Sequence, residues 1–157
     1  MRAVVQRVSS CRVRVDGEEV SAIGKGLLVL LGIARDDGGE DVDFMVNKVV
    51  NLRIFDDGEG RLNLSLRDVG GELMVVSQFT LYGDARKGRR PSYVMAAPPD
   101  RAQEVYEMAC EAFARAGFPP AKGVFQAHME VELTNDGPVT IILESPFTRG
   151  EAWEGGA

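Results

Sequence analysis

With two cysteines, one histidine and one tryptophan among 157 residues, this chain lacks most of the side chains that usually announce chemistry. Cys11 and Cys110 are too few for a disulfide framework or a four-thiolate zinc site. His128 is the one histidine, so histidine-rich metal sites are excluded and any Ser-His-Asp triad rests on a single candidate. Its neighbours Gln126-Ala127 and Met129-Glu130 read as strand, which suits a structural or surface role. There is no Walker-type glycine loop, because Gly24-Lys25-Gly26 is too short to cradle a phosphate. Long apolar runs are missing as well: the stretch from Leu27 to Ala34, with Gly32 inside it, cannot span a bilayer. Met1-Arg2 leads into an apolar run broken at Gln6-Arg7, unlike a signal peptide, so a reduced cytoplasmic address is expected, with no membrane and no cofactor. Excess positive charge is absent: the formal net charge is −6, which argues against a long nucleic-acid footprint.

The composition that remains, 45% hydrophobic and 27% charged, is that of a globular chain. Its length fits about one domain, expected over residues 1–146, with 147–157 as a flexible tail. Asp-Gly pairs at 16–17, 37–38, 57–58 and 136–137 punctuate apolar segments, as turns do. An opening hairpin turns at 16–17, and Leu27 to Leu31 has the unbroken apolar character of a strand buried on both faces. Val42, Met45, Val46 and Val49 repeat at helical spacing, which predicts a helix from Glu40 to Asn51. Leu52 to Phe55 and Glu72 to Phe79 read as strands. Asp100, with Gln103 three residues on, reads as the N-cap of a second helix; Gly117 and Pro119-Pro120 end it. Met129 to Thr134 alternates, Asn135-Asp136-Gly137 turns, and Val139 to Leu143 returns as a closing hairpin. The order predicts a layered α+β domain with two helices. The acidic cluster Asp36, Asp37, Glu40, Asp41 and Asp43 lacks calcium-loop spacing and reads as a solvated helix N-terminus, so no metal site is assigned.

Three segments carry candidate chemistry. In Ser77-Gln78-Phe79-Thr80 an apolar strand ends in hydroxyl and amide groups, which is how a rigid scaffold presents functional side chains. Around Gly137-Pro138, proline follows glycine in a turn, where a cis bond is available. Between them, Arg86, Lys87, Arg89 and Arg90 supply four basic residues in five, suited to phosphate contacts.

Ser77-Gln-Phe-Thr-Leu81 and Asn135-Asp-Gly-Pro-Val-Thr140 resemble the two signature motifs of the D-aminoacyl-tRNA deacylases, bacterial form. Met1-Arg-Ala-Val-Val-Gln-Arg-Val8, Gly26 to Gly32, Leu52 to Phe55 and Lys87 to Ser92 fit the same pattern, so the resemblance covers essentially residues 1–144. It implies an α+β fold with antiparallel and mixed sheets in a barrel-like layered arrangement, two helices packed on one side, and a homodimer with active sites at the interface. The implied reaction is hydrolysis of the ester at the terminal adenosine of D-aminoacyl-tRNA, and also of glycyl-tRNA mischarged on tRNA(Ala). Ser77, Gln78, Phe79 and Thr80 are the implied catalytic residues. Gly137 and Pro138, joined by a cis bond and supported by Arg7, would reach into the partner's pocket and reject L-aminoacyl-tRNA. The resemblance points to RNA-assisted catalysis through the neighbouring 2′-hydroxyl, in preference to Thr80 as nucleophile. Leu81-Tyr82-Gly83-Asp84 departs from the smaller residues of some relatives at the pocket mouth. The alternative is a non-catalytic RNA- or nucleotide-binding module that uses loop 86–90.

Overall fold

A computed structural model describes residues 1–146, and the tail expected at 147–157 lies outside the described residues. Strand β1 (Arg2–Val15) turns at Asp16-Gly17 into β2 (Glu18–Ile23), and β3 (Gly26–Gly32) follows. Both turn residues have positive φ, 51° and 79°, which matches the strand twist of a two-residue hairpin. Next come α1 (Gly39–Asn51), the short strands β4 (Phe55–Asp56) and β5 (Leu62–Leu64), α2 (Leu66–Val69) and β6 (Glu72–Ser77). A 3₁₀ turn (Phe79–Tyr82), α3 (Pro99–Arg115), β7 (Ala121–Lys122) and β8 (Glu130–Glu144) complete the chain.

The main sheet is mixed, in the order β2-β1-β3-β6-β7, with β8 on the other side of β1. Strand β3 runs parallel to β6, and β6 parallel to β7; helices α1 and α3 lie within those crossovers. The sheet curls nearly into a barrel, and Ser21 Oγ on β2 donates to Lys122 O on β7 at 2.7 Å where its ends meet. Strand β3 is buried on both sides, as its apolar run predicts. Leu27, Val29 and Leu31 pack with Val49, Val105 and Phe113 of the helices. Leu28 joins Val8, Cys11, Val13, Met74 and Val76 inside the curl. A register shift between Val8 and Ser10 moves β1 from one parity to the other, which lets Val8 and Cys11 share that inner face.

Several local expectations change. The closing hairpin is instead one strand: both halves of β8 pair with β1, Ile141 with Val5 and Leu133 with Cys11. The second helix begins at Pro99 rather than being capped by Asp100, and no side chain caps it. Proline at the first helical position needs no N–H partner, and Asp100 still meets the positive end of the dipole. The strand expected at 52–55 shortens to Phe55–Asp56, and α2 is a third helix beside the two expected. His128 lies in the exposed loop before β8 rather than in a strand.

The acidic cluster is only partly solvated. Asp37 and Asp41 are 1% and 4% exposed. Asp37 accepts from the amino group of Met1 at 2.8 Å and from Ala34 N–H at 2.7 Å. Ser145 Oγ, which bonds Asp41, also accepts from Met1 N at 3.2 Å. Burial pulls the Met1 amino pKa below its ordinary 8.0, with Asp37 opposing. Asp37→Asn would take from the buried amino group the carboxylate that it bonds directly. It is expected to destabilise the fold by about 3–5 kcal/mol, read as a lower midpoint in urea unfolding.

Candidate active site

Strand β6 delivers Ser77 to the end of the sheet, opposite Leu31 of β3, and Gln78 N–H donates to Leu31 O at 2.8 Å. The chain then bends sharply. Leu81 N–H donates to Gln78 O at 3.2 Å and Gly83 N–H to Thr80 O at 2.9 Å, closing the 3₁₀ turn. Close approach to β3 requires glycine at 32, where a Cβ would lie 3.0 Å from Leu81 Cβ and 3.2 Å from Gln78 O. The Gln78 amide donates to Thr80 Oγ1, and among the described residues no basic group bonds that hydroxyl. The N–H groups of Phe79 and Thr80 open the turn, where helical N–H groups lack internal partners. No hydrogen bond from either is found among the described residues.

Arg2, which residue patterns alone do not single out, steadies this turn. Its Nη1 donates to Leu81 O at 3.3 Å, its guanidinium lies 4.6 Å from the Tyr82 ring centroid, and Nε pairs with Glu144 at 3.1 Å. Directly after the turn, Asp84 and Ser92 exchange two 2.8 Å backbone bonds and close the base of the basic loop. Arg86 folds back on Asp84 at 2.8 Å and holds its carboxyl down at about 2, against an ordinary 3.8. The pair's contribution is therefore complete above pH 3.8 and is lost as pH falls through about 2. Lys87, Arg89 and Arg90 are exposed, with no ion pair among the described residues.

The second motif stands elsewhere on the molecule. Gln6 pairs with Thr140 and Val8 with Asn135, so residues 136–139 of β8 stand against Arg7 alone and loop outward. Gly137 and Pro138 at its tip are exposed, their peptide bond is cis, and Gly137 has φ +133°. The neck is tied down. Asn135 Nδ2 donates to Arg7 O and to Val139 O, each at 3.0 Å. Arg7, 6% exposed, donates through Nε to Asp136 O at 2.9 Å and through Nη1 to Ile54 O at 3.0 Å. Asp56 lies 3.4 Å from the same guanidinium. Arg7 thus bonds Asp136 and Asn135, the residues just before Gly137-Pro138, whereas Asp56 comes to light only with the fold.

Within one chain the two motifs do not meet. Ser77 aligns through Leu31 with Ala3, while Gly137 stands opposite Arg7. Standard strand dimensions place them roughly 13 Å apart along the sheet and about 14 Å apart across it. Among the described residues no group of three or more His, Cys, Asp and Glu side chains is placed to hold a metal ion. No described helix is long and apolar enough to cross a membrane.

Residues 4–144 match the family described as D-Tyr-tRNA(Tyr) deacylase, and the chain belongs to it. It is thus a hydrolase of the aminoacyl-tRNA ester bond. The D-aminoacyl-tRNA deacylase of Clostridioides difficile (strain 630) is 59% identical over 145 residues, 92% of this chain and 97% of the relative. That of Thermosipho africanus (strain TCF52B) is 55% identical with the same coverage. A solved structure named c-Myc DNA Unwinding Element Binding Protein superposes with a TM-score of 0.89 at 44% identity, covering 93% of this chain and 99% of that one. The activity is D-aminoacyl-tRNA deacylation, a proofreading step of translation.

Proposed function

We propose that the protein acts as a homodimer in which Gly137-Pro138 of one copy completes the pocket built on Ser77 to Thr80 of the other. One observation carries this: the loop is exposed and rigidly held by Arg7 and Asn135, yet is far from the turn in its own chain. Main-chain carbonyls at 137–138 grip the substrate α-amino group and leave no room for an L side chain, whereas a D side chain points outward. Glycine has no side chain to exclude, so glycyl-tRNA mischarged on tRNA(Ala) is a second substrate.

The ester is already activated, so the reaction needs placement, an oxyanion site and a water rather than a strong protein base. Phe79 and Thr80 N–H groups stabilise the oxyanion. The water attacks the carbonyl carbon and its proton passes to the 2′-hydroxyl oxygen, which hands its own proton to the leaving 3′-oxygen. Arg86, Lys87, Arg89 and Arg90 contact tRNA phosphates. Because Thr80 Oγ1 meets the Gln78 amide alone among the described residues, Thr80→Ala is expected to lower kcat only a few-fold, in the range of one lost neutral hydrogen bond. A loss of about 10⁴-fold or more would make it the nucleophile.

The decisive assay follows release of tyrosine from D-tyrosyl-tRNA and L-tyrosyl-tRNA side by side, with the dimer checked by sedimentation. Rapid loss of the D ester alone is expected. Equal loss of both would defeat the chiral-filter reading, and a monomer with full activity would defeat the shared site.

A further inference from the structure

Beside the Ser77–Thr80 turn lies an apolar patch that the proposed chemistry leaves unused. Phe79, Tyr93 and Val94 are 54%, 39% and 62% exposed. The Phe79 and Tyr93 rings meet edge-on, centroids 5.0 Å apart and planes at 63°. The patch is held from below. Tyr93 Cε1 sits so close over Gly83 that a Cβ there would lie 3.1 Å from it. Ala96 N–H donates to Tyr93 O at 3.0 Å, and Ala97 N–H ties the segment to Ile33 O at 2.9 Å. Its rim is cationic. Arg35 donates through Nε to Val94 O and is exposed, its two Nη groups without a partner among the described residues. The loop with Lys87, Arg89 and Arg90 rises from the Asp84–Ser92 base, one residue from Tyr93.

An exposed aromatic side chain held by its backbone bonds, with Arg35 and a basic loop beside its segment, fits single-stranded nucleic acid: unpaired bases stack on the ring while arginines meet the phosphates. The charge distribution favours that occupant over another protein surface. The whole chain is acidic at −6, yet residues 76–101 hold five basic residues against two acidic ones. We infer that Tyr93 and Val94, flanked by Arg35 and the 86–90 loop, form a stacking platform for the unpaired nucleotides that precede the terminal adenosine of the substrate tRNA. This rests on the proposed placement of the ester at the Ser77–Thr80 turn; it adds a base-binding surface outside that turn and assigns Arg35 to a phosphate.

The test separates the platform from the chemistry. The full chain is titrated with a labelled single-stranded RNA tetranucleotide ending in CCA, and turnover is followed in parallel on D-tyrosyl-tRNA and on D-tyrosyl-adenosine, which lacks the preceding nucleotides. Tyr93→Ala is expected to weaken oligonucleotide binding and raise KM for the tRNA about tenfold, within the range of one stacked base. D-tyrosyl-adenosine hydrolysis should be unchanged, and Tyr93→Phe should restore binding. Arg35→Ala should lower the slope of log affinity against log salt by about one. Unchanged oligonucleotide affinity in Tyr93→Ala overturns the platform. An equal fall in D-tyrosyl-adenosine hydrolysis also overturns it, because Tyr93 would then merely brace the turn. Dissociation of a native dimer by Tyr93→Ala overturns it too, because a second copy would cover the patch. Tyr93-dependent oligonucleotide binding without hydrolysis of either D ester would uphold the platform and defeat the proposed placement of the ester.

Discussion

A D-aminoacyl-tRNA whose terminal ribose carries hydrogen in place of the 2′-hydroxyl, with the ester on the 3′-oxygen, is expected to be hydrolysed about 10²–10⁴-fold more slowly, the usual range for removing a general acid–base. The expectation follows from what surrounds Thr80. Its hydroxyl bonds the Gln78 amide, which cannot take a proton, and the turn carries no histidine, lysine or carboxylate of its own. His128 lies in the loop before β8, in a different part of the chain. A reaction at this turn is therefore expected to draw its proton relay from the substrate. KM should change little, since the amino acid, the base and the phosphates are all still present. Single-turnover rates with native and 2′-deoxy tRNA make the comparison free of product release. If the deoxy substrate is cleaved within a few-fold of the native rate, the 2′-hydroxyl is not the base, and the Thr80→Ala result then decides between the hydroxyl and unassisted water.

The same particulars show why parts of the molecule were legible in the sequence and others were not. The Leu27–Leu31 run and the Val42–Val49 spacing translate directly into β3 and α1, because burial on two faces or on one stripe leaves its period in the residue types. Asn135-Asp136-Gly137 carries the turn chemistry of a hairpin and of a bulged loop equally. What makes it a bulge is β1, 14 residues long, which accepts both halves of β8 as one partner. That pairing is non-local and leaves no mark in the turn itself. Asp37 and Asp41 look solvated among three other acids, yet the Met1 amino group and Ser145 draw them inside. Arg2 and Arg35 gain their places from carbonyls contributed by residues 81 and 94, distant in sequence. Resemblance alone singles out the motif residues; composition and periodicity mark only a strand exit, a turn and a basic loop.

Gly137→Ala is expected to collapse the preference for the D ester by about 100-fold or more while leaving the protein folded. The substitution adds one methyl group at a position with no room for it: an ideal Cβ would lie 2.8 Å from Val139 Cγ2, 3.0 Å from Val139 N and 3.2 Å from Arg7 Nη2. The backbone there has φ +133°, which L residues rarely adopt, so the loop must change shape. Its neck will resist, because Asn135 and Arg7 fix both sides; the displacement therefore falls on the tip at 137–138. Moving a positioning group by about 1 Å costs roughly 10²-fold in rate, and in the proposed shared site the same group both seats the D ester and excludes the L ester. The D rate should fall and the L rate hold or rise. Because Gly137 is exposed, the cost in stability is confined to local strain of about 1–3 kcal/mol, and a urea unfolding curve beside the kinetics shows that the variant is folded. Arg7→Ala removes the guanidinium that Ile54 O and Asp136 O share. It should lower selectivity and stability together, because those two acceptors lose their donor, one of them in the buried surroundings of Ile54. A folded Gly137→Ala protein that keeps the native D-to-L ratio would show that chirality is read elsewhere than at this loop.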